Sequence, residues 1–136
     1  MARLRNLRET DAPRMYEMFS DPDVSINFVF TRMPFSKETL ADFIKKSWQD
    51  KDNLHYAVCG EHDEYIGTIS LKNINLIDRH AEYSIAIARP YWGSGAAYEA
   101  TKEIVELGFN RLNLHKIYLN VLSSNTRAIR FYERFG

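Results

Sequence analysis

The hydrophobic positions of this chain change period several times, and each change marks an element. Met15, Met18 and Phe19 recur at helical spacing behind Asp11 and Pro13, an acid near an N-cap and a proline in the first turn. That run ends near Asp21-Pro22, and Val24 to Pro34 is irregular and aromatic. Ser36 suits an N-cap, and Leu40, Phe43, Ile44 and Trp48 then mark one face of a second helix. The middle of the chain has period two. Leu54 to Gly60 reads as a strand, Glu61 to Glu64 as a polar turn, and Tyr65 to Ile74 as the return strand, with Ile66, Thr68 and Ser70 alternating against Ile69 and Leu71. Ala81 to Ala88 alternates again, Tyr83, Ile85 and Ile87 against Glu82, Ser84 and Ala86, so the three segments predict a meander. Pro90 to Gly95 ends it. Ala96 to Phe109 returns to helical spacing, with Ala97, Ala100, Ile104 and Leu107 expected to face inward. Lys116 to Leu122 reads as a strand, and Ser123-Ser124-Asn125 opens a last helix carrying Ala128, Ile129, Tyr132 and Phe135. With a weak strand over Ala2 to Leu7, the order is β-α-α-β-β-β-α-β-α, an α+β domain around a mostly antiparallel sheet.

Composition narrows the function classes. The 136 residues carry 18 basic and 18 acidic side chains, a formal net charge of zero. A general binder of nucleic acid or of anionic membranes needs a basic excess, which is absent. One cysteine, Cys59, permits no internal disulfide and fits a reducing compartment and a cytoplasmic location; in a strand beside Gly60 it reads as a small core residue. No apolar run approaches a membrane span, and Met1 to Asp11 is charged where a secretory signal is apolar. His55, His62, His80 and His115 pair with no other ligand at metal-binding spacing, so no metal is expected.

The segment richest in chemistry runs Ile85-Ala86-Ile87-Ala88-Arg89-Pro90-Tyr91-Trp92-Gly93-Ser94-Gly95-Ala96-Ala97: a strand, a turn with two glycines, and an alanine-rich helix start. Such a turn can cradle an anion, because glycine lets backbone N–H groups approach a phosphate and a helix N-terminus adds unpaired donors and partial positive charge. The Gly-Lys-Ser/Thr ending of nucleoside-triphosphate loops is missing, as are the third glycine and later acid of a dinucleotide fingerprint. The plain alternative is a tight strand-to-helix connection. A second segment, Asn125-Thr126-Arg127-Ala128-Ile129-Arg130-Phe131-Tyr132, sets Tyr132 two helical turns after a capping asparagine. Taken alone, these two are a cap and a half-buried aromatic.

Together the two segments resemble the GNAT superfamily of acetyl-coenzyme A-dependent N-acetyltransferases. Asn73-Ile74-Asn75, Arg79-His80-Ala81-Glu82-Tyr83, Tyr91-Trp92-Gly93-Ser94-Gly95 and Asn113-Leu114-His115-Lys116-Ile117-Tyr118-Leu119 are similar to the branch holding the ribosomal-protein N-terminal alanine acetyltransferases and the spermidine acetyltransferases. Trp92 stands where the superfamily usually has Arg or Gln, and it opens the Trp92 to Ala97 turn expected to bind the cofactor. The resemblance implies a mixed, mostly antiparallel central sheet flanked by helices, and acetyl transfer to a primary amine by direct attack in a ternary complex. It places the pyrophosphate of acetyl-coenzyme A (acetyl-CoA) on the amides of Gly93, Ser94, Gly95, Ala96 and Ala97, and the pantetheine arm beside Ile85, Ala86 and Ile87. Asn125 would meet the amide arm, Arg127 the phosphates, and Tyr132 the thioester sulfur. Glu82 is the candidate base, its plain alternative being an ion pair with Arg79 or His80.

Family members continue past the Tyr-Glu-Arg-Phe-Gly run with further strands. The resemblance therefore implies one domain, residues 1–136, that is C-terminally incomplete, with an open sheet edge that favours a homodimer or strand-exchanged oligomer. The acceptor is left open between a protein N-terminus, a polyamine, and an amino sugar or small amine. Asp21, Asp23, Glu38 and Glu82 are the acids a polyamine would need, and the Phe28 to Phe35 segment is a specificity candidate. The competing class is a non-catalytic coenzyme-A-binding or protein-interaction module.

Overall fold

A computed structural model of the chain describes residues 2–21 and 36–119. The expected last helix, with Asn125, Arg127 and Tyr132, lies outside the described residues, as do Asp23 and the Phe28 to Phe35 segment.

Among the described residues, five strands form one sheet whose spatial order matches their order in the chain. They are β1 (Arg3–Asn6), β2 (Leu54–Cys59), β3 (Tyr65–Asn75), β4 (His80–Ile87) and β5 (Lys116–Leu119). The first four run antiparallel, and β5 pairs parallel to β4. A parallel neighbour needs a crossover, which α3 (Ala96–Asn110) supplies. Helices α1 (Ala12–Phe19) and α2 (Lys37–Ser47) stand between β1 and β2. The mixed, mostly antiparallel sheet expected from the sequence is thus present.

Two apolar layers hold the sheet. Met15, Met18, Phe19, Leu40 and Ile44 of α1 and α2 pack with Leu7, Ala57, Tyr65 and Ala86 on one face. Ala96, Ala100 and Ile104 of α3 pack with Val58, Ile69, Leu71, Tyr83 and Ile87 on the other. A sheet covered on both sides buries both alternating sets of a central strand, so β3 is buried from Tyr65 to Leu71. Cys59 is fully buried, the small core residue its position suggested.

Local chemistry sets the element ends. Ser36 caps α2 by accepting the Thr39 N–H at 3.1 Å. Asp11 accepts the Arg8 N–H at 2.8 Å and grips the Arg5 guanidinium through two hydrogen bonds of 2.9 Å, tying β1 to the entry of α1. Arg8 and Arg3 converge with Arg5 on Asp63 in the β2–β3 turn.

One expectation about packing needs correction. The inward face of α3 is Ala96, Ala100, Thr101, Ile104 and Gly108; Ala97 and Leu107 sit at its margin, only half-buried. A polar pair turns the helix, because the Thr101 hydroxyl lies 2.5 Å from the buried Tyr83 hydroxyl. Trp48, expected as core or pocket wall, is 52% exposed and lines a groove; its indole N–H donates to the Leu7 carbonyl at 2.7 Å.

Close approach of β3 and β4 explains Gly67. A Cβ there would collide with the Ala86 carbonyl and lie 3.2 Å from the Ile87 Cα, both backbone atoms that cannot swing away. Gly67→Ala is expected to cost about 1–3 kcal/mol, the usual range for overpacking, read as a fall in the urea midpoint. An unchanged midpoint would show that the two strands part freely.

Candidate active site

Beyond Ile87 the chain leaves the sheet through a sequence of fixed bends. Ala88 is extended, Arg89–Tyr91 forms a 3-10 turn, and α3 starts at Ala96. Gly93 and Gly95 both have positive φ, 81° and 88°, a region that side-chain-bearing residues enter at a cost of roughly 1–2 kcal/mol. Within the turn the Tyr91 N–H donates to the Ala88 carbonyl and the Trp92 N–H to the Arg89 carbonyl. The Ser94 N–H and hydroxyl both donate to the Tyr91 carbonyl, at 3.2 and 2.6 Å. The Ala96 N–H donates to Ser94 Oγ at 3.3 Å.

That accounting divides the five amides expected to face an anion. Those of Ser94 and Ala96 are engaged inside the turn. The N-cap Gly95 has no side chain and Ser94 Oγ takes only the Ala96 N–H, so the first turn of α3 still carries further N–H groups that have no intrahelical acceptor. The space in front of them is open: a Cβ on Gly93 would meet nothing within 4 Å, and one on Gly95 only Glu99 Oε1 at 4.0 Å. Gly93, Ser94 and Gly95 are exposed. The turn can therefore take a phosphate group against backbone donors at the positive end of a helix.

Trp92 is tied into the fold at the head of the turn. Its indole N–H donates to the Ile87 carbonyl at 2.7 Å, pinning the turn to the last residue of β4. Arg89 lies over the indole, 5.5 Å from the ring centroid, and makes two hydrogen bonds, 2.8 and 2.7 Å, to Asp21 just after α1.

Upstream on β4, Glu82 lies on the sheet face shared with Ala86 and the α1/α2 layer. Its carboxylate is 3.1 Å from the Lys72 ammonium, its directly opposed partner on β3. Glu82 thus has an ion pair with Lys72 across the strands, beyond the candidates Arg79 and His80 that the sequence suggested; His80 lies 4.0 Å from Asp78. The next opposed row is His55, Ser70 and Ser84. Sequence reading missed this row, though alternation in β3 and β4 already puts Ser70, Lys72, Glu82 and Ser84 on one face. Ile85, Ala86 and Ile87 follow on β4; the described register with β5 stops at Tyr83 opposite Leu119.

His55 Nδ1 is 2.6 Å from the buried Ser70 hydroxyl, and Phe43 meets the imidazole edge-on at 4.8 Å. Burial pushes its pKa down from 6.5 to about 4; Lys72 adds to the fall and Asp50 opposes it. The folded state therefore holds His55 neutral while the unfolded chain takes up a proton below pH 6.5. Stability from this group is complete above pH 6.5 and is lost as the pH falls toward 4, on the order of 3 kcal/mol in all. His55→Gln should flatten the urea midpoint between pH 7 and 4.5 relative to wild type. Parallel pH curves for the two proteins would contradict it.

His55 also lines a groove of about 140 Å³ with Asn6, Ser47, Trp48, Asp50, Leu54 and Tyr56. The groove is separate from the glycine turn and contains none of the predicted site residues. Among the described residues no group of three or more His, Cys, Asp or Glu side chains is placed to hold a metal ion, and no helix is long and apolar enough to cross a membrane.

Comparison with known proteins adds to this geometry. Residues 2–136 match the family model described as acetyltransferase (GNAT) domain. The chain is 32% identical over 136 residues to a spermidine N(1)-acetyltransferase of Escherichia coli strain K12, covering 98% of this chain and 71% of that one. A crystal structure of spermidine N-acetyltransferase from Vibrio cholerae in complex with CoA and spermine superposes with a TM-score of 0.89 at 30% identity, covering 99% of this chain and 79% of that one. A dodecameric structure of the Vibrio cholerae enzyme superposes with a TM-score of 0.82 at 30% identity, over 99% and 78%.

Proposed function

We propose the activity of this chain from one premise: it belongs to the acetyltransferase (GNAT) domain family. It is an acetyl-CoA-dependent N-acetyltransferase, moving an acetyl group from acetyl-CoA to an amine. The observation that carries the reading is the open glycine turn between β4 and α3, which has the shape and donors a pyrophosphate needs.

In this reading the amides of Gly93, Gly95 and Ala97 receive the pyrophosphate, with Ser94 and Ala96 holding the turn in shape. Trp92 fixes the turn to β4. The pantetheine arm extends along Ile85, Ala86 and Ile87 toward Glu82, five residues or roughly 16 Å up the strand. Asn125 meets the arm and Arg127 the phosphates. The amine nitrogen attacks the thioester carbon as the C–S bond breaks. An alkyl ammonium, with pKa about 10.4, must first lose a proton, and Glu82 takes it directly or through water. The departing thiolate takes the proton of the Tyr132 hydroxyl. A backbone N–H of the Ile85–Ile87 strand polarises the thioester oxygen. Holding both substrates together contributes much of the rate, about 7–11 kcal/mol where the geometry is ideal.

The acceptor class favoured is a polyamine, because the relatives named above are spermidine acetyltransferases. Of the acids the sequence offered, Asp23, Glu38 and Glu82 are those proposed to meet it, Asp21 being held by Arg89. The dodecameric relative supports self-association of this chain as well. Cys59, buried and unpaired, supports a reducing, cytoplasmic setting.

The test is thiol release from acetyl-CoA with spermidine, an N-terminal alanine peptide and an amino sugar as acceptors. Turnover with spermidine above the others supports the reading. Tight coenzyme A (CoA) binding without release for any amine would favour a non-catalytic binding module.

A further inference from the structure

We infer that Asp21 and Arg89 are positioning residues for the cofactor turn, a clamp that sets its shape before CoA arrives. The inference rests on the reading of that turn as the CoA cradle. The pair joins parts of the molecule far apart in sequence. Asp21 follows α1, which covers one face of the sheet; Arg89 stands at the head of the turn that leads into α3 on the other face. The contact is a two-pronged one, Nε to Oδ2 at 2.8 Å and a terminal N–H to Oδ1 at 2.7 Å, the fork-to-fork geometry that fixes direction as well as distance. Asp21 is the less exposed partner, its side chain 21% accessible against 52% for Arg89, so the carboxylate is the anchor and the guanidinium the arm.

The arm in turn fixes the cradle. The Arg89 guanidinium lies over the Trp92 indole, and the indole N–H holds the Ile87 carbonyl at 2.7 Å. The Arg89 carbonyl accepts the Trp92 N–H at 3.0 Å. Gly93 follows at once, with its open face and positive φ. Two consecutive glycine-bearing bends have little stiffness of their own, so the donors gain their placement from what braces the turn at its head. Asp21 reaches no phosphate in this scheme; it acts through Arg89, and Arg89 through Trp92. A brace of this kind lowers the ordering cost that the ligand must otherwise meet.

The experiment is a double-mutant cycle on the full chain with Asp21→Asn, Arg89→Gln and the pair together, read by calorimetric CoA binding and by steady-state kinetics. Each single variant is expected to bind CoA roughly three- to tenfold more weakly, the scale of a partly exposed charge-assisted pair, and the double no more weakly than the worse single. KM for acetyl-CoA should rise while kcat at saturation holds, and Asp21→Glu should recover most of the binding. A staple that only supports the fold would lower the melting temperature and leave the CoA affinity alone. Wild-type affinity in folded Asp21→Asn, or losses that simply add in the double variant, overturns the clamp. Failure of the wild type to bind CoA overturns the cradle reading, and the clamp with it.

Discussion

Turnover should fall about 10²–10⁴-fold in Tyr132→Phe while CoA binding and thermal stability stay near wild type. The phenyl ring keeps the packing, and only the proton given to the leaving thiolate is lost; a positioned general acid contributes in that range. The reading rests on the spacing of Tyr132 after Asn125 and on the family match over residues 2–136. A packing role predicts the reverse pattern. Phenylalanine would then be harmless to rate, and only Tyr132→Ala would do damage, through a cavity costing about 3–5 kcal/mol by analogy with Phe→Ala. Glu82→Gln provides the companion measurement, since it removes the proton acceptor and leaves a side chain of the same shape opposite Lys72. Full turnover in both variants, with an amine that the wild type acetylates, would take proton transfer away from these two residues.

Gly95→Asp should weaken CoA binding by about 10–10²-fold relative to Gly95→Asn. Both side chains are equally strained at φ 88°, and both fill the same open space, so their difference isolates charge. In the proposed cradle an aspartate there would face the pyrophosphate across a few ångströms, where two unit charges at an effective dielectric near that of a protein surface repel by several kcal/mol before salt screens them. Glu99 Oε1 already stands 4.0 Å from the new Cβ, and its carboxylate also accepts the Ala2 N–H at 3.2 Å, so it is not free to swing away. Calorimetry at two salt concentrations reads the effect: the gap between the variants should shrink as salt rises. Equal affinities at low salt would move the anion elsewhere.

The parts of this molecule that were legible in the sequence are those governed by neighbours in the chain. Period-two alternation located β2 to β4, and Ser36 and the Pro90 to Gly95 break marked helix starts to within a residue. The turn at Gly93 and Gly95 was legible for the same reason, since two glycines announce its positive-φ bends. Contacts made across the sheet were not. Lys72 meets Glu82 because of the β3–β4 register, which shifts just beyond Lys72, and Cys59 faces Tyr65, with Ile66 passed over, because of an irregularity that alternation does not announce. The rotation of α3 toward Thr101 follows from one hydroxyl pair with Tyr83, and hydrophobic spacing alone is blind to it. The bridge from Arg89 to Asp21 spans 68 positions and leaves no local mark in either segment.

The matching of strand order to chain order has a kinetic consequence. β2, β3 and β4 are joined by tight turns and close short loops, so their pairing costs little chain entropy and can form early. β1 instead pairs with β2 across both α1 and α2, Asn6 against Tyr56, and must wait until that long excursion is gathered in. The parallel edge at β5 likewise waits for α3 to cross. The strand that carries Glu82 and leads into the glycine turn thus belongs to the earliest-formed unit. The two outer strands arrive afterwards, from opposite ends of the chain, onto a platform already built.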